Sequence, residues 1–236
     1  DIGCAMGKSG TDAAKSASDI IMADDNFVSV VEAVRQGRGM YDNIKKTIHF
    51  LLSTNIGEVA VVLFGFLMRT PPPLLAIHLL WINLVTDAFP ALALGMDPID
   101  KNIMKRPPID SKKSLFSGGL TYNIIIEGCF IAAMGILSFS IGRAFFDLDP
   151  YNPIIGRTMA FVSLGLSQLI QTFNVQSRKS LLVTGILSNF KLIYSVVFCM
   201  ILQIIVVTIP MFNVFFKTSH LNIVEWIIFW LLALFP

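Results

Sequence analysis

From residue 47 onward apolar residues run in long, nearly unbroken stretches, separated by short segments rich in Lys, Arg, Pro, Gly and Asn. A helix needs about 20 predominantly apolar residues to cross a bilayer. Six stretches meet or approach that length, at about 48–68, 74–94, 119–141, 157–174, 190–212 and 222–236. The pattern predicts a mainly α-helical, multi-pass membrane bundle of six helices. Residues 1–46 have a different texture. Asp1–Ala5 and Asp19–Met22 are short apolar runs bounded by Gly, Ser and Asp, which predicts two strands. Thr11–Ala17 predicts a short helix and Val28–Tyr41 a longer one, with Val30, Val31 and Val34 on one side. Strand and helix alternate as they do at the end of an α/β domain. Two parts are therefore expected, 1–46 as domain end and stalk and 47–236 as membrane domain.

Composition sharpens this division. Mean hydropathy is +0.69, and only 14% of the residues are charged, against roughly 25% in soluble domains. The charges are also unevenly placed. If residues 1–47 face the cytoplasm, 14 of the 18 Lys and Arg fall on that side, leaving Arg69, Arg143, Arg157 and Lys217 on the other. Such a bias sets orientation, so a net charge of +2 signals topology and lipid surface, not nucleic acid. The three cysteines, Cys4, Cys129 and Cys199, have neither disulfide nor metal spacing. The chain begins at Asp1 and stops at Pro236 inside an apolar run, and both ends are expected to lie within a longer polypeptide.

One stretch near the start, GCAMGKSGTD, invites a phosphate-loop reading through Gly3, Gly7, Lys8 and Ser9. It has one residue too few between the glycines for that loop. A strand followed by a glycine turn accounts for it better.

Carboxylates inside the spans carry the chemistry, because an ionisable group at bilayer depth is costly and needs a reason. In the first span STNIGEV places Asn55 and Glu58 three apart, on one helical face. In the second, NLVTDAFP places Asn83, Thr86 and Asp87 at i, i+3 and i+4, again one face of an α-helix. Hard cations such as calcium take six to eight oxygens from such groups. These five residues offer about five ligands, or seven with both carboxylates two-fold. Neither span holds a Lys or Arg to neutralise the pair. Pro90 cannot bond back to the Thr86 carbonyl, so the helix is expected to unwind there and free that oxygen. Elsewhere, Glu127 in the third span stands without a polar cluster and reads as a packing or protonated group. Ser167, Gln168 and Gln171 form an uncharged polar patch in the fourth span, with Gln168 a further ligand candidate. His49, His78 and His220 are scattered and read as interfacial.

At this point the residues resemble a known family. DIGCAMGKSGTDAAKSASDIIMADDNF is similar to the end of the phosphorylation domain of P-type ATPases, and STNIGEV, LLWINLVTDAFPALALGMDP and IMKRPP resemble the calcium-transporting branch. Sodium/potassium pumps read DLGTD where this chain has NLVTD. The resemblance implies that residues 1–46 end a phosphorylation domain of the haloacid-dehalogenase-like class, and that the six spans are the fifth to tenth helices of a pump. Asn55 and Glu58 match the fifth-helix ligands, and Asn83, Thr86 and Asp87 the sixth-helix ligands. Gln168 falls where the eighth helix of the two-site sarcoplasmic reticulum type has a glutamate, which implies one ion per cycle. Ala88 stands where a glycine is common in the animal enzymes.

The family's DKTG, TGDGVND, TGE and PEGL segments do not occur in these 236 residues. On this resemblance ATP and Mg2+ are bound by other parts of the same polypeptide, no catalytic aspartate lies in this stretch, and the stretch alone does not hydrolyse ATP. The implied function is an ATP-driven pump exporting or sequestering Ca2+ through an aspartyl-phosphate cycle, with proton counter-transport carried by Glu58. The implied setting is a lipid bilayer, the plasma membrane in a bacterium and otherwise a plasma or internal membrane, with no obligatory subunit. A pump for Mn2+ or Na+, or a non-catalytic channel-like protein, remains as an alternative.

Overall fold

The computed structural model describes residues 2–108, 114–116, 118–149, 151–176 and 189–233. Lys112, Lys113, Arg178 and Lys179, counted above for orientation, lie outside them, as does the end of the sixth apolar stretch. The chain divides into two compact units, 1–42 with 98–109 and 43–97 with 110–236.

In the first unit two short strands, β1 (Cys4–Met6) and β2 (Ile20–Met22), pair in parallel with Cys4 opposite Ile20 and Met6 opposite Met22. A parallel pair needs a crossover, and α1 (Asp12–Ala17) lies within it, capped by Thr11, whose Oγ1 accepts from Ala14 N at 3.2 Å. The expected strands and short helix are present, shifted by a few residues. The longer helix is not confined to 28–41: α2 runs unbroken from Phe27 to Leu67, 41 residues, so that stalk and first span are one element. Of the three valines on one side of its early part, Val31 and Val34 are exposed. The segment after the second span folds onto the early part of α2. Arg38 donates to the carbonyls of Ile103 (3.1 Å) and Arg106 (2.8 Å). Arg106 in turn pairs with Asp42 (2.6 Å) and Asp100 (2.5 Å).

The second unit is a helical bundle. After α2 come α3 (Ala76–Trp81), a π-helical turn (Ile82–Asp87) and α4 (Ala88–Gly95), which together make one span. Then follow α5 (Leu120–Phe145), α6 (Ile154–Gln176), α7 (Phe190–Thr208), α8 (Pro210–Phe216) and α9 (Ile223–Ala233). Among the described residues four helices are long and apolar enough to cross a membrane: α2, the α3–α4 span, α5 and α7. The core explains why α6 is not among them. It is buried along nearly its whole length, from Gly156 to Gln176. A helix walled by protein instead of lipid can carry Ser163, Ser167, Gln168, Gln171 and Thr172, all buried. α2 and α5 meet at their glycines: a Cβ on Gly57 would stand 2.8 Å from Ile131 Cγ2, and one on Gly128 2.9 Å from the Ser53 carbonyl. Only hydrogen at both positions permits this approach, which sets the spacing beside Glu58 and Glu127.

His78 corrects the interfacial reading. It is wholly buried, stacked on Phe161 at 4.5 Å, with Nδ1 accepting from Leu75 N (3.3 Å) and Nε2 beside the Phe216 carbonyl (2.7 Å). An imidazole whose two nitrogens both find partners is well suited to a buried joint between α3, α6 and α8.

Candidate cation site

Two carboxylates, Glu58 of the first span and Asp87 of the second, are buried in the bundle. Glu58 comes from α2, where Thr54 and Glu58 are one turn apart. Asp87 comes from the last position of the π-helical turn. Glu58 Oε2 accepts from Asn83 Nδ2 at 2.7 Å and its Oε1 from Gln168 Nε2 at 3.0 Å. Asp87 Oδ2 accepts from the Thr54 hydroxyl at 2.9 Å. Three elements thus contribute: α2, the π-helical turn and α6.

More telling is what is left over. Asp87 Oδ1, Thr86 Oγ1 and Gln168 Oε1 are buried with no hydrogen-bond partner among the described residues. Buried polar atoms almost always find partners, and leaving one without costs about 1–3 kcal/mol. Asp87 Oδ1 and Thr86 Oγ1 belong to neighbouring residues, and Gln168 is tied to Glu58 through its amide, so these oxygens belong to residues of the carboxylate cluster, whose two carboxylates lie in spans that hold no Lys or Arg. Glu58, Asp87, Thr86 and Gln168 all carry side-chain oxygen. That chemistry suits a hard cation.

The structure departs from the expected arrangement at three points. Pro90 does not unwind the second span. It sits buried in α4, and the disturbance takes the form of i→i+5 bonding one turn earlier, over Ile82–Asp87. The wider turn keeps the backbone helical and absorbs the donor that proline lacks. It also changes the phase of side chains, so Asn83, Thr86 and Asp87 do not share one face. Thr86 and Asp87 are buried whereas Asn83 is exposed and reaches Glu58 from the rim. Asn55, finally, is not drawn into the cluster: its amide donates to the Leu51 carbonyl of its own helix at 2.6 Å. Thr54, one residue earlier, is the neighbour that meets Asp87. Its sequence signal was only its place in STNIGE, and a helical wheel cannot separate adjacent polar residues when the partner helix is irregular.

Glu127 is not isolated. Gln171 Nε2 donates to its Oε2 at 2.6 Å, His49 Nε2 lies 2.6 Å from the same oxygen, and Asn174 Nδ2 donates to Gln171 Oε1 at 3.0 Å. Isolation was read along the chain, and the partners come from α2 and α6.

The glycine turn of the first unit has its amides occupied. The backbone N–H groups of Lys8 and Ser9 donate to the Asp25 carboxylate at 2.8 and 2.7 Å, with Asp25 in the left-handed region at φ 55. Those bonds, Lys8 first, hold the Asp25 carboxyl down to about 2. Where a phosphate loop presents amides to a ligand, this loop presents them to its own aspartate, in line with the turn reading.

Comparison with known proteins agrees with this picture. Residues 71–236 match the family model described as "Cation transporting ATPase, C-terminus". The chain is 41% identical over its whole length to "Calcium-transporting ATPase 1" of Bacillus cereus, of which it covers 28%. It is 38% identical over 97% of its length to "Calcium-transporting ATPase" of Bacillus subtilis, covering 25%. It is 35% identical over 95% of its length to human "Calcium-transporting ATPase type 2C member 1", covering 24%. The chain therefore spans about a quarter of the length of these relatives. Because the family model takes in well over half of its residues, this chain belongs to the cation transporting ATPase C-terminal family.

Proposed function

We propose that this chain is the membrane half of an ATP-driven pump that moves Ca2+ through an aspartyl-phosphate cycle, exporting or sequestering the ion. The single observation that carries the proposal is the trio of unpartnered buried oxygens on Asp87, Thr86 and Gln168 beside Glu58. The relatives' names point to the same ion. Glu58, Asn83, Thr86, Asp87 and Gln168 are the ligands, with Asn55 joining from the next turn of α2. Asn83 and Gln168 donate to Glu58 through their N–H groups; turned about their last bond they offer carbonyl oxygen instead, so the same side chains can serve as ligands. Gln168 is neutral, which leaves two carboxylates to balance one divalent ion, and one Ca2+ moves per cycle.

In this reading α6 and α9 complete six spans, residues 1–46 end a haloacid-dehalogenase-like phosphorylation domain on the cytoplasmic side, and ATP and Mg2+ are handled by other parts of the polypeptide. Transport requires that the ion bind one state far better than the other, a bias of about 5.5 kcal/mol for a near-complete switch. Protons counter-transported on Glu58 take the place of the ion on the return. The test is acid-stable phosphoenzyme formation from labelled ATP by the full-length polypeptide, with and without micromolar calcium, beside Glu58→Gln and Asp87→Asn. Calcium-dependent labelling lost in both variants is expected. Labelling indifferent to calcium but dependent on Mn2+ or Na+ would move the proposal to that ion.

A further inference from the structure

Outside the candidate cation site, two titratable side chains from different spans meet closely. His49 of α2 and Glu127 of α5 meet at 2.6 Å, with side chains only 13% and 27% exposed. Gln171 and Asn174 of α6 complete the cluster, Gln171 donating to the same Glu127 oxygen that faces His49. We propose that His49 and Glu127 form a second, proton-binding site, separate from the cation site, through which pH on the inner side sets how strongly the bundle draws in a divalent cation. The proposal rests on the pump reading for its consequence but not for its chemistry.

The chemistry is that of one proton. With a neutral ring beside an ionised carboxylate the pair carries one negative charge. When the ring takes a second proton, the same contact joins an imidazolium to a carboxylate and the pair is neutral. Imidazole is the side chain whose charge ordinarily changes between about pH 5 and 8. Few other charged groups stand on the elements packed around the pair. α6 brings only amides here, its one charged residue, Arg157, standing at the opposite end. α5 carries one other charged residue, Arg143, near its far end. On α2 the next charged groups are Lys45 and Lys46, and Lys46 is held by Asp97 at the end of the second span. α9, which also packs on α5 and α6, carries Glu225 in its first turn, accepting from Asn222 N at 2.8 Å.

His49 precedes Asn55 and Glu58 on one helix by six and nine residues, about 9 to 14 Å at 1.5 Å per residue. One charge at that distance from a divalent ion, in a medium between water and dry protein, alters its affinity on the order of tenfold. Deprotonation of the pair strengthens binding from the inner side and protonation weakens it.

The experiment is calcium-dependent phosphorylation of the full-length polypeptide across about pH 5.5 to 8, in wild type, His49→Gln, His49→Arg and Glu127→Gln. Any pH dependence of the cation site itself is common to all four and drops out of the comparison. His49→Gln fixes the negative state and is expected to keep the tighter half-saturation at acid pH. His49→Arg fixes the neutral state and is expected to show the weaker value, on the order of tenfold, even at alkaline pH; Glu127→Gln is likewise weak throughout. Opposite shifts from two substitutions of one residue are not produced by simple damage to packing. Four coincident profiles overturn the proposal. If wild type makes no calcium-dependent phosphoenzyme at any pH, the pump reading is what fails, and the pair is decided by the 15N resonances of the His49 ring in the purified protein. A ring that changes protonation over this range, and does so differently in Glu127→Gln, supports the site; a ring in one protonation state throughout overturns it.

Discussion

Asp87 and Asp97 stand ten residues apart in sequence, both buried, and the fold treats them in opposite ways. Asp97 is saturated. Its Oδ2 pairs with Lys46, and its Oδ1 accepts from Gln176 at 3.0 Å and Asn189 at 2.8 Å. Asn43 closes the knot on the backbone, donating to the carbonyls of Asp97 (2.8 Å) and Gly95 (3.3 Å), and Asn189 also caps α7. Asp87 has one hydroxyl donor, no cation and an unpartnered oxygen. Burial is shared, so burial alone does not distinguish a structural carboxylate from a functional one. What distinguishes them is whether the polar valence is filled by the protein or left open. The knot ties together α2, the end of α4, α6 and α7.

Mutations can break this contrast in graded steps. Asp87→Asn is expected to weaken calcium in the phosphorylation assay on the order of 100-fold, the effect of losing a carboxylate ligand, while the melting temperature changes little because Asp87 has only the Thr54 hydroxyl as a partner to lose. A large fall in melting temperature instead would mean that Asp87 is structural after all. Lys46→Met should do the reverse. It strands Asp97 and is expected to cost about 3 kcal/mol of stability, at the low end for a buried pair because Lys46 is partly exposed. Adding Asp97→Asn should recover most of that loss, and failure to do so in denaturant titrations would show that the two do not act as a pair.

Gln168→Leu sharpens the comparison from the side of the neutral ligand. One lost oxygen donor is expected to weaken calcium about tenfold, read as half-saturation of phosphorylation, with maximal labelling retained. The smallest effect belongs to Asp25, whose carboxylate is satisfied by amides but lies on an exposed loop. Its carboxyl is held at about 2, below its ordinary 3.8, so its contribution is fully present above the ordinary value and is lost as pH falls through about 2. Hydrogen exchange at the Lys8 and Ser9 amides should therefore be slow at pH 5 and speed up near pH 2, beyond its intrinsic pH trend. In Asp25→Ala those amides should exchange quickly throughout, with little change in global stability.

Much of this was legible in the sequence because hydrophobic length and charge placement are properties of the chain alone. The site was legible in outline: two carboxylates in apolar spans without a base point to a cation wherever the helices happen to turn. The details were not. Helical spacing assumes a constant turn, and the π-helical segment breaks that assumption at Asn83–Asp87, the residues to which it was applied. The irregular turn also decides that Asp87 meets Thr54 and not its neighbour Asn55. Glu127 and His49, 78 residues apart, could be joined only by knowing which faces of α2, α5 and α6 pack together, and Gly57 and Gly128 mark that packing only once the two helices are seen side by side. The split between α2 and the first span was drawn at a cluster of lysines, which mark a membrane boundary without interrupting a helix.

The π-helical turn carries a last consequence. A helix that bonds i→i+5 over one turn contains a surplus residue, a register defect that cannot vanish in place and can only migrate along the helix or be expelled at an end. Each step of migration rotates one side chain by about 100° relative to those beyond it and exchanges one backbone bond for its neighbour. For the second span that means Asn83 and Asp87 can change their mutual bearing while the helix ends stay where they are. The pitch error at Ile82–Asp87 is thus a local degree of freedom, like a dislocation in a crystal, seated in the stretch that carries the proposed ligands Asn83, Thr86 and Asp87.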